Sequence, residues 1–115
     1  YFHTTHGNDV KLYMNADDDG SAPVVKYGGV NNDEKVWSPP RLWRDIYDAM
    51  CNAKQFIYAV GWSFDTDQYL LRGEELTSEL AHGKYSPRLG ELLKGKAEEG
   101  LLLKVRLEAG FSRAS

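Results

Sequence analysis

Phe56-Ile57-Tyr58-Ala59-Val60-Gly61-Trp62 is apolar on both of its alternating sets of positions. Strand side chains alternate between two faces, so this pattern predicts a strand covered on both sides, in the middle of a sheet. Just before it, Leu42, Trp43, Ile46, Tyr47, Met50 and Ala53 recur at steps of three and four, while Arg44, Asp45, Asp48 and Lys54 lie largely off that stripe. The spacing predicts an amphipathic helix with one buried face. Ser38 ahead of Pro39 and Pro40 marks its start, a capping serine followed by a first-turn proline. Past the strand, residues 63–85 are polar and interrupted at Gly73 and Gly83, which reads as a loop holding at most a short helical turn at 76–80. Ser86-Pro87 repeats the capping arrangement, Leu89, Leu92, Leu93 and Ala97 form a second stripe, and Gly100 stands at a C-cap position. Residues 101–107 read as another strand. Toward the N-terminus, Val10-Lys11-Leu12-Tyr13-Met14 reads as a strand, residues 15–20 as a turn, and residues 21–40, with Gly28-Gly29, Asn31-Asn32-Asp33 and three prolines, as a long loop. The order strand, helix, strand, helix, strand predicts an α/β fold, a partial sheet flanked by helices, with parallel pairing of the last two strands and a right-handed crossover.

A chain of 115 residues, 42% hydrophobic and 12% aromatic, suits one domain at most with a modest core. Fourteen Lys and Arg against seventeen Asp and Glu give a net charge of −3, so no basic surplus advertises nucleic-acid binding. A single cysteine, Cys51, excludes an internal disulfide framework and a Cys-based zinc site, and it fits a reducing compartment. The longest apolar run, residues 56–60, is far too short to cross a bilayer, and no secretory leader is read ahead of it. The chain starts at Tyr1 without a methionine and stops at Ser115, which reads as a segment of something longer.

Gly61-Trp62-Ser63 stands where the apolar strand meets its loop, the carboxyl edge at which parallel sheets collect ligands. The indole of Trp62 is therefore a candidate for a substrate-pocket wall, against the plainer reading that it packs the sheet top. Asp65 and Asp67 follow on the same loop and read as solvated carboxylates before acids or metal ligands. His82-Gly83-Lys84 opens like the H-x-K-x4-D signature of phosphodiesterases, but Leu89 stands where the aspartate belongs and is needed for an apolar stripe, so no catalytic residue is assigned. Asn15-x-Asp17-x-Asp19-Gly20 copies the opening of a calcium loop, but its twelfth position is Lys26 in place of a bidentate glutamate. His3 and His6 lack a third ligand nearby in sequence, and Cys51 lacks a histidine partner, so no metal site is assigned and the cysteine reads as a packing residue.

Taken together, the order and spelling of the segments resemble the eukaryotic phospholipase D family, most closely the plant type. The match begins at Tyr1-Phe2 and Val10-x-Leu12-Tyr13, strengthens at Trp43-x-Asp45-Ile46-Tyr47-Asp48-Ala49 with Asn52-Ala53-Lys54, and peaks at Ile57-Tyr58 and Gly61-Trp62-Ser63. It resumes at Gly90-Glu91-Leu92-Leu93-Lys94, Lys96-Ala97 and Glu99-Gly100. The resemblance covers residues 1–107, the start of a first catalytic lobe, and residues 108–115 depart from it as a divergent tail.

That resemblance implies a two-lobed α/β sandwich that hydrolyses phosphatidylcholine to phosphatidic acid and choline through a phosphohistidine, with one H-x-K-x4-D motif from each lobe. Both motifs are missing from this chain, which is expected to be inactive alone; of its residues only Trp62 and Ser63 match a family segment near the cleft, and the resemblance makes them candidates for the substrate-pocket wall. It also implies calcium in the parent family, although no calcium-binding cofactor site is evident here, and a cytoplasmic, peripheral membrane location. The implied partners are a phospholipid substrate at a membrane surface and the remainder of the phospholipase D chain. Two alternatives stand beside it: a truncated, catalytically inactive binding or regulatory module, and a piece of a superfamily phosphatidyltransferase.

Overall fold

The computed structural model describes residues 2–13 and 23–107, apart from the side chains of residues 32 and 79–82. Among the described residues the strands and α-helices follow in the order β1 (Val25–Gly28), β2 (Glu34–Trp37), α1 (Leu42–Asn52), β3 (Phe56–Gly61), α2 (Glu74–His82), α3 (Leu89–Glu98) and β4 (Leu102–Leu107), with a 3-10 turn at Val30–Asn32 between the first two strands. They form two small sheets with helices, an α/β arrangement. β1 and β2 pair antiparallel, and β3 and β4 pair parallel with Phe56 opposite Leu102 and Gly61 opposite Leu107. The parallel pairing, the first amphipathic helix and the last one stand where the sequence puts them.

Several expectations are corrected. Residues 10–13 are not a strand among the described residues; Val10 and Leu12 are exposed, and the segment is instead tied to α1 by Lys11 and Tyr13, which both bond Asp45. Met14 and the turn at 15–20 lie outside the described residues. The long loop at 21–40 contains the β1–β2 hairpin, since β-forming Val24-Val25 and Val36-Trp37 flank the turn-forming glycines and asparagines. Residues 74–82, read as loop, are the helix α2, whose first turn carries Glu74 and Glu75. Neither expected serine cap is made: the N-cap positions are Arg41 and Arg88, without side-chain cap bonds. Ser86 Oγ instead accepts from the Arg88 backbone N–H at 3.1 Å and donates to Glu91 at 2.7 Å.

The core gathers Tyr47 from α1, Leu70 and Leu71 from the connecting loop, and Leu89, Leu92 and Leu93 from α3. Ile57 of β3 and Leu103 of β4 pack against it, so helices α1 and α3 cover one face of the parallel sheet. The other face departs from the two-sided pattern of its sequence. Phe56, Tyr58 and Val60 are 60, 48 and 54% exposed, and Leu102 opposite Phe56 is 68% exposed.

Helix α3 ends in a Schellman motif. Leu101 N–H reaches the Lys96 carbonyl at 3.2 Å, Gly100 N–H reaches that of Ala97 at 2.9 Å, and Gly100 takes the required left-handed conformation at φ +90°. Its first turn is clamped to the loop before it. Gly90 N–H donates to the Thr66 carbonyl and Leu89 N–H to that of Gln68, both at 2.9 Å, while Leu70 N–H donates to the Pro87 carbonyl at 2.8 Å. These bonds, with an antiparallel bridge between Tyr69 and Arg88, fix the loop that leaves β3 against the start of α3.

Candidate functional site

The clamp leaves a cleft of about 570 Å³ at the carboxyl end of β3, within the range typical of small-molecule sites. Trp43, Ile46 and Met50 of α1 form one wall, and Ala59, Val60 and Gly61 of β3 another. Leu70 and Leu89 close it toward the core, and the loop contributes Ser63, Phe64, Asp65 and Gln68. The walls are largely apolar because the inward stripe of α1 and the end of the strand meet there; apart from the Trp43 indole N–H, the polar side chains of the lining come from the loop.

Asp65 is the only ionisable group in that lining. Its Oδ1 accepts from the Asp67 backbone N–H at 2.9 Å and its Oδ2 from Gln68 Nε2 at 3.1 Å. The backbone bond first, then the Gln68 bond and the nearby Arg88 charge, hold its carboxyl below the usual aspartate range. Asp67 turns away to pair with Arg88 at 3.1 Å. Among the described residues the lining holds one carboxylate beside otherwise uncharged side chains, with the Arg88 charge close to Asp65. The walls suit apolar parts of a ligand.

The two pocket-wall candidates separate. Ser63 lines the cleft, whereas Trp62 is 89% exposed and absent from its lining. Alternation explains the split, since Trp62 continues the exposed row of Phe56 and Tyr58, while Gly61 and Ser63 on either side of it line the cleft. Phe64 and Gln68, which complete the cleft, carried no motif; only their place after the strand's carboxyl end could have drawn attention to them. Trp43, Ile46 and Met50 were visible as a helix stripe and not as a pocket.

Of the remaining candidates, His82 ends α2, Lys84 pairs with Glu99 at 3.2 Å, and Leu89 is buried in α3 as its stripe requires. His3 and His6 lie in the irregular N-terminal segment, and residues 15, 17, 19 and 20 lie outside the described residues. Cys51 is a half-buried cysteine in the last turn of α1, outside any disulfide. Among the described residues, no three His, Cys, Asp or Glu side chains gather to hold a metal ion. No described helix is long and apolar enough to cross a membrane.

A second polar constellation lies on the far side of α1. Lys96 of α3 is 3% exposed, yet its ammonium donates to the Cys51 carbonyl at 3.0 Å and stands 4.8 Å from the Tyr85 ring centroid. Tyr85 OH donates to Glu99 at 2.5 Å, and this bond, with Lys84 next, lowers the Glu99 carboxyl below its usual range. The arrangement ties the carbonyl end of α1 to α3, a cation satisfying an otherwise open helix terminus.

Comparison with known proteins gives one consistent result. The chain is 38% identical over 102 residues to phospholipase D alpha 1 of Spuriopimpinella brachycarpa, 39% identical over 102 residues to phospholipase D alpha 2 of Brassica oleracea var. capitata, and 38% identical over 101 residues to phospholipase D alpha 3 of Arabidopsis thaliana. Each match takes in 88% of this chain and 12% of the relative, so the chain spans about an eighth of the length of these proteins. No family model and no solved structure matches it.

Proposed function

Since this chain is a stretch of plant-type phospholipase D sequence, we propose that it forms the opening of the first catalytic lobe of a lipid phosphodiesterase. In this reading the small α/β unit is one part of a two-lobed sandwich. The longer protein hydrolyses phosphatidylcholine to phosphatidic acid and choline through a phosphohistidine, working at a membrane surface in the cytoplasm. The nucleophile and the cationic groups that steady the developing charge on phosphorus come from polypeptide that this sequence does not contain. Any calcium is likewise held by other parts of that protein. The stretch contributes scaffold and the cleft wall carrying Ser63, with Trp62 on the opposite side of the strand.

The single observation that carries this reading is the identity of 36–39% with phospholipases D alpha along 88% of the chain. The experiment is a chimera, in which residues 1–107 replace the matched stretch of the Ricinus communis phospholipase D alpha 1. The chimera is expected to release choline from phosphatidylcholine at a rate within about tenfold of the parent, and residues 1–115 alone to release none. A folded but inactive chimera, or stoichiometric turnover by the short chain, would overturn the proposal.

A second reading draws on the edges of the β3–β4 sheet, whose two strands each pair on one side only among the described residues. An uncovered strand pair can recruit a partner, so a catalytically inactive module that pairs with a full-length relative has a physical basis. Saturable capture of the full-length enzyme by the short chain would favour it.

A further inference from the structure

The polar end of the cleft holds more hydrogen-bond acceptors than the fold consumes. Asp65 Oδ1 takes a bond from the Asp67 backbone N–H at 2.9 Å and Oδ2 one from Gln68 Nε2 at 3.1 Å, and each carboxylate oxygen has a second lone pair. Gln68 spends an amide N–H on that bond, which leaves its carbonyl oxygen for another donor. Ser63, on the same loop, adds a hydroxyl to the lining. Charge around this end is negative. Arg88 is engaged by Asp67 at 3.1 Å and Glu91 at 3.7 Å, so with Asp65 three carboxylates stand around one guanidinium. Beyond the loop the lining turns apolar, with Trp43, Ile46 and Met50 of α1 beside Phe64, Leu70 and Leu89. The Arg72 guanidinium lies 4.8 Å from the Trp43 ring centroid and is not part of the lining. Bonds within the chain set this geometry, because the acceptor-bearing loop is pinned to α3 through the Thr66 and Gln68 carbonyls.

We propose that this cleft binds a primary ammonium ion carried on a short apolar body, a small alkyl or aralkyl amine. An ammonium group has three N–H donors and no acceptor, which Asp65, the Gln68 carbonyl and the Ser63 hydroxyl can answer together. The hydrocarbon lies against Ile46, Met50 and Phe64, where leaving water adds to the binding. A volume of about 570 Å³ suits a molecule of that kind. Charge sets the selectivity. An alcohol of the same length keeps the apolar contact but forgoes the charge-assisted bond, and a carboxylate meets Asp65 as a like charge. The inference stands on this chain's own residues and uses the phospholipase D reading only for the longer protein in which it is tested.

Photolabelling tests it, using a hexylamine that carries an aliphatic diazirine and mass spectrometry to locate the label in the 115-residue chain and in the chimera described above. The label is expected on Met50 and Phe64 in both proteins. Hexylammonium should displace it at about tenfold lower concentration than 1-hexanol, the worth of one hydrogen bond to a charged group, and hexanoate should not displace it. Asp65→Asn, which keeps the shape of the side chain, should erase the difference between amine and alcohol, and Ser63→Ala should narrow it. Equal displacement by amine and alcohol in the unsubstituted proteins overturns the ammonium site, and so does an Asp65→Asn variant that keeps the preference. Label in the short chain but none in the chimera also overturns it, because the longer polypeptide then fills the cleft itself. Choline release is scored separately. A labelled but inactive chimera sinks the catalytic reading and leaves this one standing; an active chimera without label does the reverse.

Discussion

At the scale of single residues, Asp45 does the most with the least burial. Its Oδ2 accepts from Lys11 Nζ and from Tyr13 OH, both at 2.5 Å, fastening an irregular N-terminal segment to α1. The Lys11 bond first and the Tyr13 bond second hold its carboxyl below the ordinary aspartate range, so the attached state binds the proton less readily than the detached one. The fastening is therefore complete above that ordinary range and is lost as pH falls through the lowered value. At the alkaline end the sign reverses, because the same bond raises Lys11, and the contact is lost as pH climbs through that raised value. NMR shifts of the Tyr13 ring should report attachment between these limits, and Asp45→Asn should detach the segment throughout. None of this was legible beforehand, because the link joins residues 34 and 32 positions apart. Trp62 teaches the converse: its place at the strand's end was correctly read, but the face it takes depends on which side the helices occupy.

At the scale of elements, α3 is the piece on which the others lean. Leu92 is fully buried between α1 and the loop after β3, so Leu92→Ala should cost about 2–5 kcal/mol. Leu102→Ala, on the open face, should stay within about 0.5 kcal/mol in the isolated chain. Gly90 is a sharper probe. A Cβ there would stand 2.9 Å from Thr66 Cβ and 3.0 Å from the Thr66 carbonyl oxygen, so Gly90→Ala should force the clamp apart at a cost of about 1–3 kcal/mol. Chemical denaturation of the three variants checks the order. Helices α1 and α3 were legible because their apolar periodicity is strong over ten residues or so, and the parallel strands because each is a short run rich in apolar residues. The hairpin and α2 were not. Gly28-Gly29 and Asn31 serve equally for a loop or a tight hairpin turn, and the polar, glycine-bounded run from 74 to 82 lacks a broad apolar stripe.

At the scale of the whole chain, the described residues enclose one small helical core with a two-stranded sheet on it, while the β1–β2 hairpin exposes Val25, Tyr27, Val36 and Trp37. Two-stranded hairpins and sheets with one bare face hold poorly by themselves. We expect a broad, weakly cooperative thermal transition by circular dichroism for the 115-residue chain, and a sharp one would show that the small core suffices. The α/β class was legible from element order, whereas the bare outer face was not, since the sequence records what a strand is suited to touch and not what is at hand to touch it. The parallel register has a further consequence in time. β3 ends at Gly61 and β4 begins at Leu102, 41 positions later, so a ribosome adding about 5–20 residues per second finishes β3 roughly 2–8 s before its partner strand begins to appear. Through that interval the nascent strand waits beside the exit tunnel with its apolar side chains wet, a natural client for whichever chaperone meets it first.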